Sequence, residues 1–119
     1  MSKPATERRA HSRVEASFPI QGVPEAGGAV ARMMAKNLSM GGLRCTSTAD
    51  YPEMTRLSVT LLLPRAGNGE ATPLTLEAVV VHRELAAPAL AGEPRFELSL
   101  FFTRVDDSAR RRLASFLAG

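Results

Sequence analysis

Apolar and polar residues alternate along several short segments of this 119-residue chain. The clearest segment is residues 14–20, where every second residue is apolar. A period of two is typical of a β-strand with one buried face. The same period recurs at residues 43–47 and 96–102, whereas residues 56–63 form an apolar run rich in β-forming residues. The pattern therefore predicts a chain built mainly of short strands.

Turn-forming stretches rich in glycine and proline separate these segments, most clearly at residues 22–28 and 64–73. Strands are predicted at residues 14–20, 29–35, 43–47, 56–63, 74–83 and 95–103. Asp106 and Asp107 are suited to cap a helix at about residues 106–118. We expect a mainly β fold, a six-stranded antiparallel barrel with a C-terminal helix, because closing the sheet removes its exposed edges. The helix either plugs one end of the barrel or packs on its outside.

Length and composition predict one globular domain at residues 14–119, preceded by a flexible polar arm at residues 1–13. The lone Cys45 excludes a disulfide within the chain and a multi-cysteine zinc site, which fits a reducing compartment. No apolar run approaches the roughly 20 residues of a spanning helix. We therefore expect a cytoplasmic protein that does not insert into membranes.

Two polar motifs flank the first predicted strand. Arg9 and Arg13 form an RxxxR pattern, and Asn37, Ser39 and Gly42 form NxSxxG. Guanidinium groups offer forked donors that match phosphate oxygens or the O6/N7 edge of guanine. An amide and a hydroxyl beside a glycine permit close polar contact with the same ligand. The two motifs together predict a site for an anionic nucleotide.

The geometry of the arm is left open by the sequence. An extended arm separates the Cα atoms of Arg9 and Arg13 by about 13 Å, whereas a bend or one helical turn brings them together. Either arrangement suits a ligand with several charges. Asn37 and Ser39 are expected on the loop between the second and third strands, where Gly41 can supply a positive φ and Gly42 leaves room for the ligand or the turn.

These motifs, in this order at the start of a small β-rich domain, resemble the PilZ family of bacterial cyclic di-GMP receptors. The resemblance implies that Arg9, Arg13, Asn37, Ser39 and Gly42 contact cyclic di-GMP, and we add Gly41 from the same loop.

Arg8 also resembles an arginine that accompanies binding of an intercalated ligand dimer in some members of the family. The chain departs from the family at Ser99, where many members have glycine in the last strand, so an auxiliary contact there is open. The barrel and the closing helix extend the resemblance over most of the chain.

We therefore expect a receptor that is not an enzyme, since no catalytic motif and no metal-ligand spacing is present. Ligand binding is expected to order the arm and create a surface for a downstream protein partner, in motility or exopolysaccharide regulation as the family implies. One alternative is an adaptor that acts through protein contacts without ligand. Another is a small basic nucleic-acid-binding barrel, which the 5% aromatic content disfavours because stacking surfaces need aromatic rings.

Overall fold

A computed structural model describes residues 14–63, 72–86 and 95–118. These residues form six strands and one helix, α1. The elements are β1 (Val14–Pro24), β2 (Ala31–Leu38), β3 (Gly42–Ser47), β4 (Arg56–Leu63), β5 (Thr72–Leu85), β6 (Phe96–Arg104) and α1 (Asp107–Ala118). The predicted arm at residues 1–13 lies outside the described residues.

The six strands form a closed antiparallel barrel in the order β1-β2-β3-β6-β5-β4, with β4 paired back to β1. The predicted fold class is confirmed. β5 is long because its first part pairs with β4 and its last part with β6. Every strand therefore has two hydrogen-bonded neighbours, as expected for a barrel without free edges.

Alternate residues of each strand point into the barrel and fill it with aliphatic side chains. On β4, for example, Leu57, Val59 and Leu61 are fully buried while their chain neighbours reach the surface. Cys45 lies in the same core, where burial, with a smaller contribution from the charge of Glu97, raises the pKa of its thiol to about 12. The thiol is therefore protonated at neutral pH.

β1 extends four residues beyond its predicted end at Ile20, and the predicted turn at residues 22–28 begins later. Residues 22–24 pair with β4, so the strand continues where it passes between two neighbours. A Cβ atom at Gly22 would lie 2.3 Å from the Cε of Met33, so the flexible end of that side chain would have to move to accept a larger residue there.

Helix α1 closes one end of the barrel, which decides between the two predicted placements. Its Leu113 is completely buried in the barrel core, and Phe116 packs edge-on against Phe18 of β1 at a ring-centroid distance of 5.9 Å. The predicted cap is confirmed for Asp106, whose Oδ1 accepts a hydrogen bond of 2.8 Å from the amide of Ala109. No helix in the described part of the chain has the length and apolar character needed to cross a membrane.

Candidate functional site

The NxSxxG motif lies at the tight connection between β2 and β3. Asn37 belongs to β2 rather than to the loop, which corrects the prediction, because β2 continues to Leu38 and that residue pairs with Leu43 of β3. A register shift between Ala35 and Asn37 marks a bulge at this point. Bulges re-aim side chains, and here the bulge sets the direction of the half-buried Asn37 next to the loop.

Ser39 holds the loop together through its hydroxyl group. The side chain is 5% exposed, and its Oγ accepts hydrogen bonds from the amides of Gly41 and Gly42 at 3.2 and 3.3 Å. The same hydroxyl donates to the carbonyl of Gly42 at 3.3 Å, and the amide of Ser39 donates to that carbonyl at 2.9 Å. The motif serine therefore fixes the conformation of the loop backbone through bonds within the loop itself.

The two motif glycines have different structural roles, and that of Gly41 is not the predicted one. The expectation of a positive φ at Gly41 is wrong, since the described glycines with positive φ are Gly27 and Gly28. The Ser39 hydroxyl closes the loop instead. Gly42 is required by β6, because a Cβ atom would lie 2.1 Å from the carbonyl oxygen of Leu100. The loop is also bonded to β6 by the amide of Phe102, which donates to the carbonyl of Gly41 at 2.9 Å.

The described chain begins beside this loop. Val14, the first residue of β1, pairs with Leu38, the residue that precedes Ser39. The predicted site residues Arg8, Arg9 and Arg13 lie outside the described residues. The structure therefore brings together Asn37, Ser39, Gly41 and Gly42.

A row of outward-facing residues crosses the barrel next to the loop. Asn37 pairs with Glu15 on one side and with Arg44 on the other, Arg44 pairs with Ser99, and Ser99 pairs with His82. Ser99, the position of the departure from the family pattern, is half-buried in the middle of this row. The row places polar and cationic groups on the surface that adjoins the loop.

A cluster of charges lies along the same surface. The carboxylate of Glu97 accepts a hydrogen bond from Lys36 at 2.9 Å and another from Arg44 at 3.3 Å. The Lys36 hydrogen bond, followed by the charges of Lys36 and Arg44, holds the pKa of Glu97 below its usual value. Two cations share one carboxylate, so the cluster carries an excess positive charge next to the bulge of β2.

A groove of about 580 Å³ lies elsewhere on the outer face of the barrel. Pro19, Met34, Thr46 and Arg95 are among its lining residues, and none of the predicted ligand residues lines it. A groove of this volume can hold a small molecule, but the motif loop is not part of its lining.

Sequence reasoning missed two residues that adjoin the loop, Arg44 and Phe101. The signal was present, since Leu43 and Cys45 point inward and Leu100 and Phe102 do likewise, so the residues between them face outward. Arg44 is two residues after Gly42 on the same strand. What the alternation does not show is that β3 and β6 are neighbours, which places Phe101 beside Gly42. Within residues 14–63, 72–86 and 95–118, no group of three or more His, Cys, Asp or Glu side chains is placed to hold a metal ion.

Solved structures with a similar fold include PilZ domains. The PilZ domain of YcgR from Escherichia coli, solved with cyclic di-GMP, has 19% sequence identity and a TM-score of 0.66, covering 90% of this chain and 86% of that one. The inhibitor of motility MotI/DgrA from Bacillus subtilis has 20% identity and a TM-score of 0.72, covering 93% of this chain and 50% of that one. The complex of MrkH from K. pneumonia with cyclic di-GMP has 21% identity and a TM-score of 0.71, covering 93% of this chain and 51% of that one.

The chain thus spans about half the length of MotI and MrkH. No curated protein matches it in sequence. The sequence model of the PilZ domain matches residues 7–119, a range that begins just before the RxxxR motif and ends with the last residue. The barrel with its closing helix and the match over nearly the whole chain agree, and the chain belongs to the PilZ domain family.

Proposed function

We propose that this protein is a cytoplasmic receptor for cyclic di-GMP that binds its ligand between the N-terminal arm and the loop at residues 37–42. The PilZ domain of YcgR and the MrkH protein have both been solved with this ligand. The chain carries the residue types of both family motifs, with Arg8, Arg9 and Arg13 in the arm and Asn37, Ser39, Gly41 and Gly42 at the loop. We assign it a binding role rather than catalysis.

The pairing of Val14 with Leu38 is the observation that carries the proposal. Arg13 is bonded to Val14, so its Cα lies about 3.8 Å from that of Val14. Arg9 is five residues from Val14, which limits the separation of their Cα atoms to about 18 Å. These chain lengths allow both arginines to reach the loop, which supports a site shared by the arm and residues 37–42.

The chemistry of the loop surface supports an anionic, guanine-containing ligand. The Ser39 hydrogen bonds preorganise the loop, and binding to a preorganised site avoids the entropy cost of ordering it. Asn37 carries both a donor and an acceptor, as recognition of a base edge requires. Lys36 and Arg44 supply positive potential near the loop, while their shared partner Glu97 offsets part of it.

Ligand binding converts the arm into a surface that a partner protein recognises. A polar, basic arm has little apolar surface with which to fold by itself, whereas charge-assisted hydrogen bonds to two phosphates hold it against the barrel. A bound ligand therefore switches the output by ordering a segment. The outputs that this mechanism serves are motility or exopolysaccharide regulation.

Calorimetric titration with cyclic di-GMP tests the proposal, using the full chain and its Arg9→Ala and Arg13→Ala variants. Each variant is expected to bind about 10- to 150-fold more weakly, since a hydrogen bond to a charged group contributes about 1.5–3 kcal/mol. The matched control is Arg32→Ala, which removes the same charge from an exposed position at the other end of β2 and should bind like the parent. GTP and a linear dinucleotide serve as ligand controls.

Equal losses in Arg32→Ala and Arg9→Ala would point to general charge attraction, as in a nucleic-acid-binding barrel. No heat and no thermal stabilisation of the parent protein at high ligand concentration would refute the receptor and favour an adaptor that acts without ligand.

A further inference from the structure

We propose that Phe101 stacks on a guanine base of the bound cyclic di-GMP and so forms part of the ligand site. The inference rests on the proposed function and adds a residue that belongs to neither motif. The chain has six aromatic residues, all within the described ranges: Phe18, Tyr51, Phe96, Phe101, Phe102 and Phe116.

Phe101 is the exposed member of this set. Its relative exposure is 52%, whereas Phe18, Phe96 and Phe102 are at most 9% exposed. The remaining two, Tyr51 and Phe116, are partly buried against the core. An aromatic side chain that faces water gives up the apolar burial that the other five obtain. Such a ring is available for a ligand.

Phe101 lies next to the motif loop, where its ring can contact a ligand that the loop holds. Phe101 pairs with Gly42 of the motif loop, and the next residue, Phe102, is hydrogen-bonded to Gly41. Directly opposed Cβ positions on one face of an antiparallel pair are about 5 Å apart. A ligand held by the loop therefore lies within reach of the Phe101 ring.

Phe101 pairs with the half-buried Val79 on the β5 side, whereas its same-face neighbours on the β3 side and behind it along β6 are small. Gly42 has no side chain on the β3 side, and Ser99 is the residue two positions back along β6. Successive same-face residues of a strand are about 6.6 Å apart. Gly42 and Ser99 therefore leave a shallow depression next to the ring, where a flat base can lie against it. Ser99 replaces the glycine that is common in the family, but its side chain is small enough to leave this depression open.

A purely structural role for the ring makes a different prediction. A cross-strand aromatic residue can stabilise a sheet by covering a glycine, in which case Phe101 supports Gly42 and never touches the ligand. The two roles separate when affinity and thermal stability are measured on the same variants. Base–aromatic stacking contributes about 1–3 kcal/mol per base, equivalent to about 5- to 150-fold in Kd.

The test measures cyclic di-GMP affinity and melting temperature for Phe101→Ala, Phe101→Tyr and Val81→Ala. Val81 is the matched control because it is 49% exposed on the neighbouring strand β5 and is apolar, but lacks a ring. We expect Phe101→Ala to bind at least 5-fold more weakly, Phe101→Tyr to bind like the parent, and Val81→Ala to retain its affinity. Weakening by Phe101→Ala that Phe101→Tyr does not rescue would overturn the proposal.

A spectroscopic readout reports contact directly, because the chain contains no tryptophan. In Phe101→Trp, the new indole should be quenched on addition of cyclic di-GMP, while Val30→Trp, in the exposed turn before β2, should not respond. Binding by the parent together with unchanged fluorescence in a Phe101→Trp variant that still binds would overturn the stacking role and leave the receptor intact. Absence of binding by the parent would overturn both.

Discussion

The loops on either side of β2 both contain two adjacent glycines, but they use them for opposite reasons. In the first loop, Gly27 and Gly28 adopt φ values of 104° and 140°, and both are exposed. In the second loop, Gly42 is buried and leaves room for the carbonyl of Leu100 on β6. The first pair of glycines adopts the positive φ values that this open turn requires. The second loop depends on the absence of a side chain, since it is held against the barrel.

This difference matters for binding because the second loop is preorganised from two sides. Ser39 bonds its backbone from within, and the amide of Phe102 bonds it to β6 from outside. The first loop has one backbone hydrogen bond across it, from the amide of Gly27 to the carbonyl of Pro24 at 2.9 Å, and its first residue, Glu25, donates to the carbonyl of Arg56 on β4 at 3.0 Å, but no side chain of the described residues bonds its backbone from within as Ser39 does. Two adjacent glycines in the sequence therefore occur in two physically different kinds of loop.

Gly42→Ala should have the largest effect on stability. The added methyl group meets a backbone oxygen that cannot rotate away, so β3 and β6 must separate locally. Overpacking of this kind costs about 3 kcal/mol, which lowers the melting temperature by about 10 °C. Thermal denaturation followed by circular dichroism measures this change. A loss no larger than that of Gly27→Ala would remove the distinction between the two loops.

Ser39→Ala should have the next largest effect, since it leaves two loop amides without their acceptor. The expected destabilisation is about 1–2 kcal/mol. The matched control is Ser47→Ala, because Ser47 is also buried and its Oγ bonds to the amide and carbonyl of Ala49. Both variants should lose similar stability in urea denaturation, but only Ser39→Ala should weaken cyclic di-GMP binding. Equal affinities in the two would show that the order of the loop does not matter for the ligand.

Gly27→Ala should destabilise the protein by about 1 kcal/mol through backbone conformation alone. No atom lies within 4 Å of the position that a Cβ would take, so packing contributes nothing to the cost. Ligand affinity should be unchanged, as the residue lies in the other loop. A melting temperature more than about 10 °C below that of the parent would show that this turn is also under packing constraint.

The smallest expected effect concerns the ion pairs beside the second loop. The pKa of Glu97 is lowered in the folded state, chiefly by the Lys36 hydrogen bond, so its contribution is complete above about pH 4.5 and is lost as the pH falls through the lowered pKa. Glu97→Gln should therefore flatten the decline of the melting temperature below pH 4.5. The partners are partly exposed, which limits the contribution to under about 1 kcal/mol. If Glu97→Gln leaves the decline of the melting temperature below pH 4.5 unchanged, the cluster adds nothing to stability.

The number of strands, the capped helix and the inward faces could be predicted from the sequence, because they depend on local periodicity and on capping chemistry. The bounds of β4 and the cap at Asp106 agree with their predictions. The motif residues were also found from their types and spacing. The register of the chain in the barrel was not, since it depends on contacts between segments that are distant in sequence.

The surroundings of each candidate site residue depend on the tertiary structure. Gly42 is buried because β6 passes next to it, and Asn37 belongs to β2 because Leu38 finds a partner in β3. Phe101 lies beside the loop because β3 and β6, about fifty residues apart in the chain, are neighbours in the barrel. Periodicity shows which face a side chain occupies, whereas what it meets there depends on which strands pair and in what register.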